Sequence, residues 1–282
     1  MGSTGYIAKY IIQRFKSDST ITSVLRIGRD KDADSFLDLL RVEQFDFDIL
    51  DDIDFVVFTA AVSSPDLCES EYDSCWNVNV IGTSRFIQEA IKRNCKVLFF
   101  SSDAVYGDIP GKIYDEECKT EASTAYGKMK KAIEDLFKNN SLFKAIRLSY
   151  VVSANDKFTS YCIDCLKNNI TANIYHPFYR SVTVISDVLD VVYYFAYHWN
   201  KFEHSFLNVS GCELVSRIRI ADEINRFMNY KLKYKISVPG DDFFKSRPKI
   251  TQMRSLYLNS YGILQDGCFT NKLSKELRMV SL

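Results

Sequence analysis

Tyr126 and Lys130 stand four residues apart in the run Tyr-Gly-Lys-Met-Lys, and Ser101-Ser102-Asp103 precedes them. On a helix, residues four apart share a face, so this spacing predicts Lys130 beside Tyr126. A free phenol gives up its proton only near a pH of about 10. A neighbouring ammonium lowers that value. Tyr126 then serves as general acid or base, while the Ser102 hydroxyl hydrogen-bonds a reacting carbonyl. The spacing alone is weak: the chain holds 17 tyrosines, and an ordinary amphipathic helix carries the same pattern.

A second constellation opens the chain. Gly2-Ser3-Thr4-Gly5-Tyr6-Ile7-Ala8 is a Gly-x-x-Gly-x-x-small turn. Gly2 and Gly5 let backbone approach a pyrophosphate, and the helix that follows aims its free N–H groups and positive dipole end at it. Ala8 takes the place of a third glycine, where a small residue keeps helix and sheet close. Arg29 follows the next expected strand. A carboxylate there suits the ribose diol of NAD, whereas an arginine suits the 2′-phosphate of NADP. NADP is therefore the expected cofactor, with NAD the alternative, and a solvated surface arginine the plainer reading.

The elements that must position these residues alternate in the first half, as βαβ units of a parallel sheet do. Helices are expected over residues 6–15, 76–92 and 126–137, and strands over 21–27, 55–59, 97–101 and 145–150. In dinucleotide-binding folds the glycine turn follows a buried first strand, yet here Met1 immediately precedes Gly2. The expected architecture is thus a Rossmann-like doubly wound parallel α/β sheet whose first strand is missing from the chain. The preferred explanation is a start placed too late, or a trimmed chain. The alternative is a variant that fills the gap some other way, another chain included.

The order of the whole set carries more weight than any one motif. The glycine turn, Ala60-Ala61 after a strand, Asn79 in Asn-Val-Ile-Gly-Thr, Ser-Ser-Asp-Ala-Val-Tyr-Gly and Tyr-Gly-Lys-Met-Lys follow one another. This resembles the extended short-chain dehydrogenase/reductase family of the NAD-dependent epimerase/dehydratase type, whose members mostly act on nucleotide-activated sugars. The resemblance spans nearly the whole chain and is strongest over residues 55–130. It implies Ser102, Tyr126 and Lys130 as the catalytic set. It implies Gly2, Ser3, Thr4, Gly5, Tyr6, Ile7, Arg29, Ala60, Ala61 and Asn79 along the cofactor, with Tyr126 and Lys130. Arg180-Ser-Val-Thr-Val-Ile-Ser-Asp187-Val resembles the family segment Arg-x-x-x-His-Val-x-Asp, with Val184 in the histidine position. It implies Arg180 on a sugar-nucleotide diphosphate, which a guanidinium fork suits. Ser102, Asp103 and Arg247 are the other expected substrate contacts, and no metal is expected.

Three reactions compete. Family 4,6-dehydratases carry Asp-Glu after the catalytic hydroxyl, and here the pair is Asp103-Ala104, which disfavours dehydration. The Ser-Ser-Asp-Ala-Val-Tyr run and Ser246-Arg247-Pro248 resemble the dTDP-4-dehydrorhamnose reductase branch. The expectation is NADPH-dependent reduction of a nucleotide-4-keto-6-deoxy-sugar. A nucleotide-sugar epimerase of the same fold is the runner-up, and a non-catalytic dinucleotide sensor the third reading. A cofactor domain is expected over 1–153, with 180–210 returning to it. A small substrate unit is expected over 154–179 and 211–282.

Composition bounds the rest. The 282 residues include 36 Lys+Arg and 36 Asp+Glu, for a formal net charge of zero, so no global field gathers nucleic acid or anionic membrane. The apolar stretch near 191–197 is far short of the ~20 residues of a membrane span. Eight scattered cysteines read as free thiols of a reducing cytosol, and a lone Cys162-x-x-Cys165 without a second pair points to neither zinc nor redox chemistry. A cytoplasmic enzyme is expected, and by family resemblance a homodimer.

Overall fold

The computed structural model describes residues 1–229 and 231–278. Residues 230 and 279–282, which the expected substrate unit includes, lie outside the described residues. The chain divides into two compact units. The first comprises Met1–Gly107, Lys119–Arg147 and Val191–Leu207, and the second Asp108–Cys118, Leu148–Asp190 and Asn208–Leu282.

In the first unit the elements are α1 (Tyr6–Lys16), β1 (Ile27–Gly28), β2 (Ser35–Phe36), β3 (Phe55–Phe58), α2 (Thr83–Lys92), β4 (Lys96–Ser102) and α3 (Ala125–Phe137). They are followed by β5 (Phe143–Leu148), α4 (Ile185–His198) and β6 (Phe206–Val209), of which Leu148, residues 185–190 and residues 208–209 count with the second unit. Four strands form a sheet in the order β6-β5-β4-β3. β3 and β4 run parallel, Phe55 opposite Lys96 and Phe58 opposite Phe99. β1 and β2 form a separate parallel pair. The strands are short and apolar because helices cover them, and a strand buried on both faces has no polar side to alternate. Phe143, Ala145, Ile146 and their strand neighbours are buried throughout β5. Phe58, Phe86, Phe99, Phe137 and Phe143 form a connected ring cluster, with neighbouring centroids 5.3–6.0 Å apart. Edge-on and tilted ring pairs at this spacing add to plain burial. The fold is α/β, of Rossmann type. Among the described residues, no helix is long and apolar enough to cross a membrane.

Two expectations need correction. The strand expected over 21–27 is paired only at Ile27–Gly28, because its neighbour β2 is two residues long and, among the described residues, no strand lies along its other edge. The helix expected over 76–92 is interrupted by a wider π-type turn over Asn77–Gly82. There Gly82 lies so close to Leu39 that a Cβ would stand 2.0 Å from the Leu39 carbonyl oxygen. Apolar period alone does not report such an approach.

In the second unit, strands Leu214–Ser216, Tyr179–Ser181, Ile250–Met253 and Ile113–Tyr114 form a mixed four-stranded sheet. A separate apolar core joins helices Lys157–Lys167, Arg217–Phe227 and Phe269–Leu277 through Phe158, Ile163, Ile220, Ile224 and Leu273. Cys162 and Cys165 are buried in it, and burial pushes the Cys162 thiol up to about 12.

Gly82→Ala is expected to lower stability by about 1–3 kcal/mol, since the added methyl meets backbone that cannot turn aside. Urea unfolding at fixed protein concentration measures it, and an unchanged midpoint would refute the close-approach argument.

Candidate functional site

The glycine turn stands where its type requires. Gly2 has φ +83, a region open to glycine without a Cβ penalty, and a Cβ there would lie 2.7 Å from the Ala60 nitrogen. The Gly2 N–H and Ser3 N–H both donate to the Ile27 carbonyl, at 2.8 and 3.1 Å. The turn is thereby pinned to the end of β1 on one side and to the Thr59–Ala60 backbone on the other. Ser3 is buried, Thr4 and Gly5 are exposed, and Tyr6, Ile7, Ala60 and Ala61 are half-buried. Gly5 caps α1 with no side-chain hydrogen bond, and the first turn holds no acidic residue. A helix start without a polar side-chain cap or a carboxylate fits a phosphate group. Ala8 is buried under the helix. Arg29 directly follows β1 and is exposed.

Asn79 behaves differently from its neighbours. It is buried, its Oδ1 accepts from the Val62 N–H at 2.8 Å, and its Nδ2 donates to the Val62 carbonyl at 3.0 Å. Its amide therefore holds the segment after Ala60-Ala61 in place from below.

The expected proton-transfer set gathers on α3 and at the end of β4. Thr124 caps α3, its hydroxyl accepting from the Gly127 N–H at 3.2 Å. Gly127 then lets the helix press on the turn after Ser102, because a Cβ there would stand 2.2 Å from the Ala104 carbonyl oxygen. Tyr126 and Lys130 are carried by this seated helix, and the Lys130 Nζ lies 5.7 Å from the Tyr126 ring centroid. The Ser102 hydroxyl donates to Asp103 at 3.0 Å and accepts from the Ala104 N–H at 3.2 Å.

Electrostatics correct the simplest sequence expectation. Burial, followed by the Cys68 thiol and the Asp103 carboxyl, holds the Tyr126 phenol above its ordinary value. Lys130 does not offset this: it is buried, and burial pushes its amine down to about 7. Its Nζ donates to the Phe100 carbonyl at 2.7 Å and sits 4.4 Å over the Phe99 ring. An amine partly discharged at neutral pH supplies less field than a full ammonium, so in the chain by itself burial dominates.

One turn beyond Lys130, Glu134 belongs to a buried network that the motifs did not single out. Arg147 of β5 donates to Glu134 through Nη2 at 2.7 Å and Nε at 3.0 Å, and to the Tyr106 hydroxyl through Nη1 at 2.8 Å. The Ser101 hydroxyl donates to Glu134 at 2.6 Å. Glu134 and Arg147 are each only 2% exposed. The network ties α3, β4 and β5 within one helical turn of Lys130 and one residue of Ser102. Its signal in the sequence was an arginine inside a strand that is apolar but for Lys144.

Arg180 and Arg247 belong to the second unit. The Arg180 guanidinium lies 4.2 Å over the Phe178 ring and donates to the Pro248 carbonyl at 2.9 Å. Arg247 lies 4.5 Å over Phe243 and donates to the Phe243 carbonyl at 3.1 Å. Arg217, missed from sequence, stacks 4.8 Å over the same Phe178 ring. Burial first, and Arg247 after it, lower its pKa. The two rings pack at 5.6 Å, so three guanidinium groups share one aromatic platform. Arg217 and Arg219 in the first turn of a helix oppose its dipole, and that anomaly was readable beforehand.

Glu134→Gln is expected to cost about 3–5 kcal/mol, because it leaves the Arg147 charge buried without its partner. Glu134→Leu combined with Arg147→Met is expected to regain most of the loss. Urea unfolding of the single and double variants tests this, and additive losses would show that the pair does not act as a unit.

Over 85 residues the chain is 32% identical to the spore coat polysaccharide biosynthesis protein SpsK of Bacillus subtilis (strain 168), a match covering 30% of each protein. Among solved structures it is similar to MoeE5 in complex with UDP-glucose and NAD, with a TM-score of 0.81 at 17% identity over 98% of this chain and 96% of that one. It is also similar to dTDP-4-dehydrorhamnose reductase from Bacillus anthracis str. Ames in complex with NADP, with a TM-score of 0.80 at 20% identity over 99% and 98%. At these identities the likeness is one of fold. The family model for the RmlD substrate binding domain matches residues 1–279, nearly the whole length, and the chain belongs to that family.

Proposed function

We propose that this chain is an NADPH-dependent reductase of a nucleotide-linked 4-keto-6-deoxy sugar. The observation that carries the reading is the seating of α3. Gly127 packs on the turn after Ser102, which brings the helix carrying Tyr126 and Lys130 against that turn and supports this reading. The uncapped start of α1 beside Gly2 fits a dinucleotide pyrophosphate, and Arg29 after β1 favours the 2′-phosphate of NADP. Relatives of the same fold hold NAD or NADP, one of them together with a nucleotide sugar.

In this reading the nicotinamide cofactor, when bound, supplies the hydride for the carbonyl carbon. Tyr126 donates its proton to the carbonyl oxygen, and its raised affinity for that proton suits a group that must hold it until the substrate arrives. Ser102 donates a hydrogen bond to the same oxygen and orients it. Lys130, one turn along, as an ammonium stabilises the phenolate that Tyr126 becomes. Arg180, Arg217 and Arg247 offer guanidinium forks for the diphosphate of the nucleotide. Pairing of two chains through α3 and a cytoplasmic location belong to the same reading.

Tyr126→Phe is expected to reduce turnover with dTDP-4-keto-6-deoxy sugars at least ~100-fold, with dinucleotide affinity unchanged in a fluorescence titration. Retained turnover would remove Tyr126 from the chemistry. In parallel titrations NADPH is expected to bind more tightly than NADH, and Arg29→Asp to abolish or reverse that preference. Equal affinities in the parent chain would remove Arg29 as the reader of the 2′-phosphate.

A further inference from the structure

The eight cysteines differ in what can reach them. Cys68, Cys75, Cys95, Cys162 and Cys165 are buried. Burial pushes the Cys68 and Cys162 thiols up to about 12, so these two stay protonated and unreactive. Cys118 is half-buried, accepting from the Asp115 N–H at 3.4 Å and donating to the Asp115 carboxylate at 3.3 Å. Cys212 and Cys268 alone are exposed, and both belong to the second unit.

These two exposed thiols stand on segments that touch. The Cys212 Sγ donates to the Gly267 carbonyl at 3.7 Å. The next residue, Glu213, accepts from the Phe269 N–H through its carboxylate at 2.7 Å. Cys268 lies between those two contacts and is the N-cap of the helix Phe269–Leu277. Standard peptide dimensions put its Cα about 2.8 Å from the Gly267 carbonyl oxygen. The Cys212 sulfur is therefore within about 6.5 Å of that Cα. A disulfide spans about 4 Å between the same two atoms. Rotation of exposed side chains, with a backbone shift of no more than about 2–3 Å, closes the difference. Residues 211–213 and 264–268 lie outside helices and strands, so the closure breaks no regular element.

We propose that Cys212 and Cys268 form an oxidisable dithiol site, which a hydroperoxide closes to a disulfide. With hydrogen peroxide, one thiolate attacks an oxygen of the peroxide. The S–O bond forms as the O–O bond breaks, and the other oxygen leaves as water. The second thiol then attacks the sulfenic sulfur, the S–S bond forming as the S–O bond breaks, and a second water leaves. The peroxide takes up the two electrons and two protons that the thiols lose. A reducing thiol reopens the bond by exchange. The effect of closure follows from its place. Residues 212–268 include the helix Arg217–Phe227 and the strands Tyr234–Ser237 and Ile250–Met253, and a link between their ends restrains that whole stretch of unfolded chain. It also fastens the helix Phe269–Leu277 to the segment entering the strand Leu214–Ser216, whose Val215 lies opposite Arg180. The site shares no residue with the proton-transfer set or the guanidinium platform, so it is independent of the reductase reading.

In the test, the full chain is reduced, freed of reductant, treated with hydrogen peroxide and digested with trypsin under non-reducing conditions. Peptides 202–217 and 255–272 carry one cysteine each. They are expected joined, at the mass of the pair less two hydrogens, and separate again after dithiothreitol. Oxidation is expected to raise the thermal midpoint by about 5 °C or more, and reduction to restore it. Cys212→Ser and Cys268→Ser are each expected to abolish both the link and the rise, the remaining thiol being trapped as its sulfenic acid by dimedone. Predominant linkage of another cysteine pair, or of two chains through Cys212 or Cys268, would overturn the proposal. So would a link that leaves the midpoint unmoved, or a rise that survives in either serine variant. Peptides that stay separate after both hydrogen peroxide and diamide would overturn it as well. None of these readouts involves cofactor or turnover, so failure here is distinct from failure of the reductase reading.

Discussion

The buried pair between Glu134 and Arg147 is the interaction on which the first unit depends. A helix can rest on a sheet in many registers if only apolar side chains meet. A bidentate ion pair away from water tolerates one arrangement, since both desolvated charges must be met by geometry and hydrogen bonds. Here the carboxylate accepts from Arg147 and Ser101 while the guanidinium also reaches Tyr106. Helix α3 is thereby fixed along its axis and around it. Lys130 and Tyr126 lie one and two turns before Glu134 on the same helix face, so the register that serves the ion pair also sets these two residues.

Close backbone approach is the complementary constraint. Gly127 against Ala104 and Gly2 against Ala60 are places where a single methyl group does not fit. The first seats α3 on the turn after Ser102, and the second seats the glycine turn against the Thr59–Ala60 backbone. Asn79 adds a polar clamp below the segment after Ala61. None of these three is required to touch a ligand. They set where ligand-facing backbone lies.

The second unit solves a different problem with other means. Its core is apolar and separate, and its charge is gathered by stacking guanidinium groups on Phe178 and Phe243. Cation–π contact and backbone carbonyls help to compensate these cations.

The sequence by itself determined the fold class and the family. Order and spacing of short motifs survive as chain-local facts, and apolar runs report buried parallel strands. Only the tertiary structure decided the rest. That Arg147 pairs with Glu134, that Arg217 joins Arg180 on one ring, and that Asn79 bonds Val62 all depend on groups distant in sequence. The raised affinity of Tyr126 for its proton went against the motif, because desolvation depends on every neighbour in space and the motif names only one. The shortness of β1 followed the same logic: a strand forms only where another strand is present to complete its hydrogen bonds.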